Sequence, residues 1–173
     1  MSGPDVGPLR CLVGTIALGR ASVRDDVTQV AIDEVQATGF QVVRSVTVNR
    51  EKEFIVQLLS NVATGNEADA IILIGGAGIG PRDYACEAVD ELADRRIEGF
   101  GEEYRRVLRE GDGSLVTAVL TRASAGVYGQ CVVMALPRQA ASVLRRAMQK
   151  VVLPMLPAAV QIATGMGRQQ ASR

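Results

Sequence analysis

Apolar residues fall along this chain in two rhythms, short unbroken runs and stripes at helical spacing, and the two alternate. "CLVGTIAL" (Cys11–Leu18) is a continuous run of strand length. In "DDVTQVAIDEVQATGF", Val27, Val30, Ala31, Glu34 and Val35 repeat at helical spacing, with Asp25 or Asp26 as cap and Gly39 closing the helix. "QVVRSVTV" (Gln41–Val48) is rich in β-branched residues and predicts a second strand. The next helix carries Phe54, Ile55, Leu58, Leu59 and Val62 on one face, and "ADAIILI" then predicts a buried third strand. From Tyr84 a helix turns Ala85, Ala88, Val89 and Leu92 inward, with Glu91 and Arg95 paired on its surface. "FGEEYRRVLREGDG" predicts a shorter helix. "SLVTAVLTRASAGVYGQCVVMALP" is ambiguous in its first half, while Cys131 to Leu136 predicts a buried strand after a turn at Tyr128–Gly129. "RQAASVLRRAMQK" and "VVLPMLPAAVQIAT" predict helices, the second bent at Pro154 and Pro157.

Strands alternating with helices predict an α/β fold: a single-domain, three-layer α/β/α arrangement around a mainly parallel sheet. The domain is expected over residues 11–164, with flexible ends at 1–10 and 165–173. Such sheets bind ligands outside the carboxyl ends of their strands. The segments around Gly19, Asn49–Glu51, Gly75–Asp83 and Pro137–Gln139 should therefore converge.

Composition narrows the chemistry. Nineteen basic residues balance nineteen acidic ones, which removes the electrostatic reason to expect nucleic-acid or membrane-surface partners. Cys11, Cys86 and Cys131 are scattered and form no CxxC pair, so reduced thiols in a cytoplasmic protein are expected. No run reaches the about 18 apolar residues of a spanning helix, and the start lacks a signal-peptide core. The chain has no histidine, which excludes imidazole catalysis and histidine-ligated metal within it. What remains is carboxylates, hydroxyls, backbone amides, Arg, Lys and a hard metal such as magnesium.

The segment that asks for an explanation is "IILIGGAGIGPRDYACEAV" (Ile71–Val89). A buried run ends in Gly75, Gly76, Gly78 and Gly80, followed by Pro81, Arg82 and Asp83. It is neither GxxxxGK[ST] nor GxGxxG. Glycines nevertheless let backbone N–H groups approach an anion ahead of a helix N-terminus. A tight turn without ligand, with Asp83 as a plain helix cap, is the other reading. Arg82 would then be a solvated charge and Cys86 a small core residue.

"GGAGIGPRDYACEA" resembles the "GGTGxGPRDVTPEA" signature of the molybdenum-cofactor biosynthesis family that includes the bacterial MogA and MoaB proteins and the gephyrin G domain. "RRIEGFGEEYRRV" and "LTRASAGVYGQCVVMALP" are similar to two further segments of that family, in the same order. The resemblance implies a trimer that binds molybdopterin, adenylylates it with Mg-ATP and serves a molybdenum-insertion partner protein. It implies a phosphate cradle at Gly75, Gly76, Ala77, Gly78 and Gly80, with Asp83 as the catalytic or magnesium-linked carboxylate. Arg82, Glu87, Ser124, Pro137 and Arg138 would line the pterin phosphate or nucleotide site.

The chain departs from the pattern at each converging loop. Ala77 stands for a threonine, Ala85-Cys86 for Thr-Pro, and Asn49-Arg50 for Pro-Asp, with Glu51 next door as a replacement acid. "ALGR" stands for "SDR" after the first strand, and Arg138 stands for the glycine of the "LPGSPKA" loop. Either altered ligand chemistry or a non-catalytic carrier or scaffold trimer follows from that pattern. Arg50 and Arg138, if both face the cradle, would substitute guanidinium for magnesium in neutralising phosphate.

Overall fold

Side chains along the central strands alternate between two buried faces, and that alternation fixes where each helix layer lies. The computed structural model describes residues 7–17, 26–112 and 114–166. The segment expected around Gly19, the Asp25 alternative for the first cap and most of both expected flexible ends lie outside those residues. Six strands, β1 (Arg10–Ile16), β2 (Gln41–Val48), β3 (Ala70–Ile74), β4 (Arg95–Arg96), β5 (Ser124–Tyr128) and β6 (Cys131–Leu136), form one sheet in the order β2-β1-β3-β6-β5-β4. β2, β1, β3 and β6 run parallel, while β5 pairs antiparallel with β6 and β4 antiparallel with β5. β3 is buried along its whole length and β6 likewise, because helices cover both faces.

Leu12, Ile71, Leu73, Val133 and Ala135 point to one face, where α2 (Lys52–Thr64) supplies Ile55, Leu59 and Val62 and α3 (Ala85–Leu92) supplies Ala85, Ala88 and Val89. Val13, Ile72, Ile74, Met134 and Leu136 point to the other face. There they meet α1 (Asp26–Ala37), α4 (Glu98–Asp112), α6 (Ala141–Ala147) and α7 (Leu153–Ala163). The three-layer α/β/α arrangement with a mainly parallel sheet is therefore the observed fold. Truncating a fully buried side chain such as Leu12 or Ile71 to alanine should cost about 2–5 kcal/mol.

Several local expectations are corrected. The helix after the glycine loop ends at Leu92, so Arg95 lies in β4, and Glu91 pairs with Lys52 of α2 (2.7 Å) instead of Arg95. The segment read as a shorter helix is α4, fifteen residues long. The ambiguous stretch holds a short helix, α5 (Leu115–Leu120), and then β5 hairpinned to β6. Phe54 is half exposed instead of packed on the α2 core face. Pro154 sits in the first turn of α7, where its missing N–H costs little, and a π-helical turn at Met148–Val152 joins that helix to α6. Pro157 lies inside α7.

Candidate functional site

The sheet order places a crevice where the chain reverses its direction of winding. From β1 the chain goes to β2 on one side and returns to β3 on the other. The carboxyl ends of β1 and β3 are thus a topological switch point, where connecting loops diverge and leave room for a ligand. The glycine loop leaves β3 at this place. Gly75 (φ 104°) and Gly76 (φ 67°) are both left-handed. A Cβ on Gly75 would lie 3.1 Å from Ile16 Cβ at the end of β1, and one on Gly76 would lie 3.0 Å from Ala85 Cβ. Glycine is required at both positions by conformation and by close approach.

Two loop amides at the ends are spent internally. Gly75 N–H donates to Leu136 O (2.9 Å), and Gly80 N–H donates to Asp83 Oδ2 (2.8 Å). Among the described residues nothing accepts a hydrogen bond from the N–H groups of Gly76, Ala77, Gly78 or Ile79. Four consecutive amides thus have no hydrogen-bond partner among the described residues. Ala77 is buried and contributes only main chain, its carbonyl accepting from Arg122 N–H (3.0 Å).

Asp83 is not the cap of α3. The residue before that helix is Tyr84, and no side chain caps it. Instead the Asp83 carboxylate folds back over the loop. A Cβ on Gly78 or Gly80 would lie 2.7 or 2.8 Å from Asp83 Oδ2. Those two glycines make room for the carboxylate, which places a fixed negative charge within the cradle.

Arg122 is the residue that sequence reasoning missed. It precedes β5, and its guanidinium donates from Nε to Gly78 O (2.6 Å) and from Nη2 to Asp83 O (3.0 Å). It also forms a two-pronged pair with Glu87: Nη1 to Oε1, and Nη2 to Oε2 at 3.3 Å. Partial burial pushes the Glu87 carboxyl up, but the Arg122 guanidinium, a backbone hydrogen bond and the Lys52 charge together outweigh it and leave Glu87 below its ordinary value. The pairing in turn raises Arg122. Cys86 donates Sγ–H to Arg122 O (2.8 Å), and burial pushes its thiol up to about 12, making it a neutral core group. The only signal for Arg122 in the sequence was its place in "LTRASAG".

The other expected residues divide. Arg138, after β6, donates from Nη2 to Ile16 O (3.0 Å). Because β3 lies between β6 and β1, this side chain crosses the carboxyl end of β3, directly at the switch point. Burial lowers its pKa, though a guanidinium stays charged. Pro137 is buried beside it. Arg50 and Glu51 follow β2, the outermost strand on that side, and among the described residues neither side chain forms an ion pair. Arg82 is exposed. Ser124 lies elsewhere: its hydroxyl donates to Asp90 Oδ1 (2.8 Å) beside a polar cavity of about 480 Å³ between α3, α4 and β5. Arg122 also lines that cavity, so it stands between the two features.

A switch-point crevice beside a glycine-rich loop defines the class, a doubly wound α/β domain with its candidate site at the carboxyl ends of β1 and β3. The family described as "Probable molybdopterin binding domain" matches residues 11–158, and the chain belongs to that family. It is 35% identical to a molybdenum cofactor biosynthesis protein B of Bacillus cereus over 149 residues, covering 86% of each chain. The corresponding protein of Bacillus subtilis is 30% identical over 154 residues, 88% of each chain. The crystal structure of a molybdenum cofactor biosynthesis protein B superposes with a TM-score of 0.83 at 31% identity, covering 91% of this chain and 96% of that one. The molybdopterin biosynthesis enzyme MoaB of Thermus thermophilus superposes at 0.79 and 30% identity, covering 91% and 97%. Among the described residues no helix is long and apolar enough to cross a membrane.

Proposed function

We propose that the chain acts in molybdenum cofactor biosynthesis in the cytoplasm, holding the phosphate of molybdopterin or of ATP on the amides of residues 76–79 and transferring adenylate to the pterin. In that reaction the terminal phosphate oxygen of the pterin attacks the α-phosphorus of ATP, one P–O bond forms, and the α–β bond breaks to release pyrophosphate. The observation that carries the reading is a row of four amides at the switch point that have no partner among the described residues. No cluster of three or more acid or thiol side chains forms a metal cage among the described residues. A magnesium ion would fit as Asp83 plus ligand phosphate oxygens, the sparse protein coordination that magnesium favours. Bound there, it would screen the phosphate charge that Asp83 otherwise repels. The chain's own part is positioning: the amides orient phosphate, and Arg138 adds positive charge at the end of β3.

A carrier or scaffold role without turnover is the second reading. It is favoured by the segment after β2, where Asn49 and Arg50 stand at the expected acid position and Glu51 makes no ion pair among the described residues. Incubation of the purified protein with molybdopterin, magnesium and α-labelled ATP separates the two. Labelled adenylyl-pterin, lost in Asp83→Ala, supports the enzyme; binding of both ligands without product supports the carrier.

A homotrimer belongs to the same proposal. Leu115, Val116 and Val119 of α5 are each at least 60% exposed, and Leu120 is 46% exposed. Four aliphatic side chains on six residues make a patch that association would cover. Light scattering should give three times the chain mass, with Val116→Asp shifting it to one; a wild-type monomer ends the trimer proposal. A molybdenum-insertion protein would be the recipient of the product.

A further inference from the structure

We infer that Arg122 is the positioning residue of the glycine cradle, with Glu87 as its counter-ion and not a ligand contact. The inference rests on the reading of residues 76–79 as an anion site. Arg122 binds two consecutive carbonyls of the loop: its own N–H donates to Ala77 O (3.0 Å) and its Nε to Gly78 O (2.6 Å). In a trans peptide the N–H points opposite to the C=O of the same plane. Fixing the Ala77 and Gly78 carbonyls toward Arg122 therefore turns the N–H groups of Gly78 and Ile79 away from it, both toward the same side. Nη2 ties down the Asp83 carbonyl at the far end of the loop (3.0 Å).

The guanidinium has five N–H donors, and Gly78 O, Asp83 O and the two Glu87 oxygens engage four of them. Little capacity remains for gripping a phosphate, so the side chain acts through the loop. Glu87 holds the fork in the plane that reaches both carbonyls at once. A lysine ammonium, a single point on a flexible stem, lacks that geometry.

The test combines backbone dynamics with binding in Arg122→Ala, Arg122→Lys and Glu87→Gln. In Arg122→Ala the NMR order parameters of the Gly78 and Ile79 amides should fall from the rigid range near about 0.85 to below about 0.6. The dissociation constants for Mg-ATP and for inorganic pyrophosphate should rise at least about tenfold. Arg122→Lys should move both in the same direction, and guanidinium ion added to Arg122→Ala should recover part of each. If Arg122→Ala does not fold, Arg122→Lys carries the measurement. Weakened binding with unchanged order parameters would mean that Arg122 touches the ligand, and would overturn the positioning role. Unchanged order parameters and unchanged binding would overturn it too. A loop that loosens as expected in a protein whose wild type binds neither probe keeps the positioning role and removes the anion-site reading.

Discussion

The loops after β3 and after β2 both leave parallel strands at their carboxyl ends, yet they differ in almost every physical respect. Residues 75–83 carry two left-handed glycines, a carboxylate folded over its own backbone and an arginine that binds three of their carbonyls through its main chain and side chain. Among the described residues, the bonds of 49–51 are local: Glu51 N–H donates to Asn49 Oδ1 (3.1 Å), and the Glu51 carbonyl accepts from Phe54 N–H (3.1 Å) and Ile55 N–H (3.4 Å). The difference follows from position. β3 is flanked on both sides, so its loop meets neighbours from β1, β6, α3 and Arg122 ahead of β5, whereas β2 is an edge strand. Convergence of loops at one end of a sheet is a topological fact, but a preorganised site needs neighbours to hold it.

The largest expected break in that contrast is conformational. Gly76→Ala imposes a left-handed alanine against Ala85, and should lower stability by about 2 kcal/mol or more in urea unfolding, while Asn49→Ala stays within about 0.5 kcal/mol. Equal effects would mean that the two loops are equally constrained. Next comes Gly78→Ala, whose methyl group would occupy the place of the Asp83 carboxylate. Calorimetry should show Mg-ATP binding weakened about tenfold or more with a shift in melting temperature of only a few degrees.

A smaller effect sharpens the electrostatic side of the comparison. Arg138 crosses the switch point, while Arg50 sits behind an edge strand. Arg138→Ala should weaken nucleotide binding measured without magnesium by about three- to tenfold and flatten its salt dependence, and Arg50→Ala should change it less than about twofold. Strictly magnesium-dependent binding, indifferent to both substitutions, would remove guanidinium as a replacement for the ion.

The smallest expected effect is in acid. Glu87 is held below its ordinary value in the folded chain, so its pairing with Arg122 stabilises the protein fully above the unfolded carboxyl pKa of about 4.3 and is lost as pH falls through the lower folded value. The stability difference between wild type and Glu87→Gln should be constant from about pH 7 to about pH 5 and shrink below about pH 4. Because the pair is partly exposed, the difference should be modest.

The sequence by itself determined the elements whose burial is continuous. The runs Cys11–Leu18, Ala68–Ile74 and Cys131–Leu136 read as strands because helices cover both faces of β1, β3 and β6, leaving no polar alternation to confuse the pattern. The turn after β3 was equally legible, since only glycine readily takes the left-handed backbone at Gly75 and Gly76. Where the pattern was mixed, tertiary contacts decided. "LVTAVL" carries β-branched residues that favour a strand, yet it is helical, with Ala118 buried in the core beside residues of α4 and Ser114 Oγ capping its start. Glu91 passed over a partner four residues away for Lys52, thirty-nine residues distant, because α3 had already ended. Arg122 and its partners Gly78, Asp83 and Glu87 are thirty-five to forty-four residues apart in the chain. Local pattern reports which residues a segment must bury or bend, because those demands are met within a few residues. Which charge serves which loop is set by folding distant segments together, and only the tertiary structure decides it.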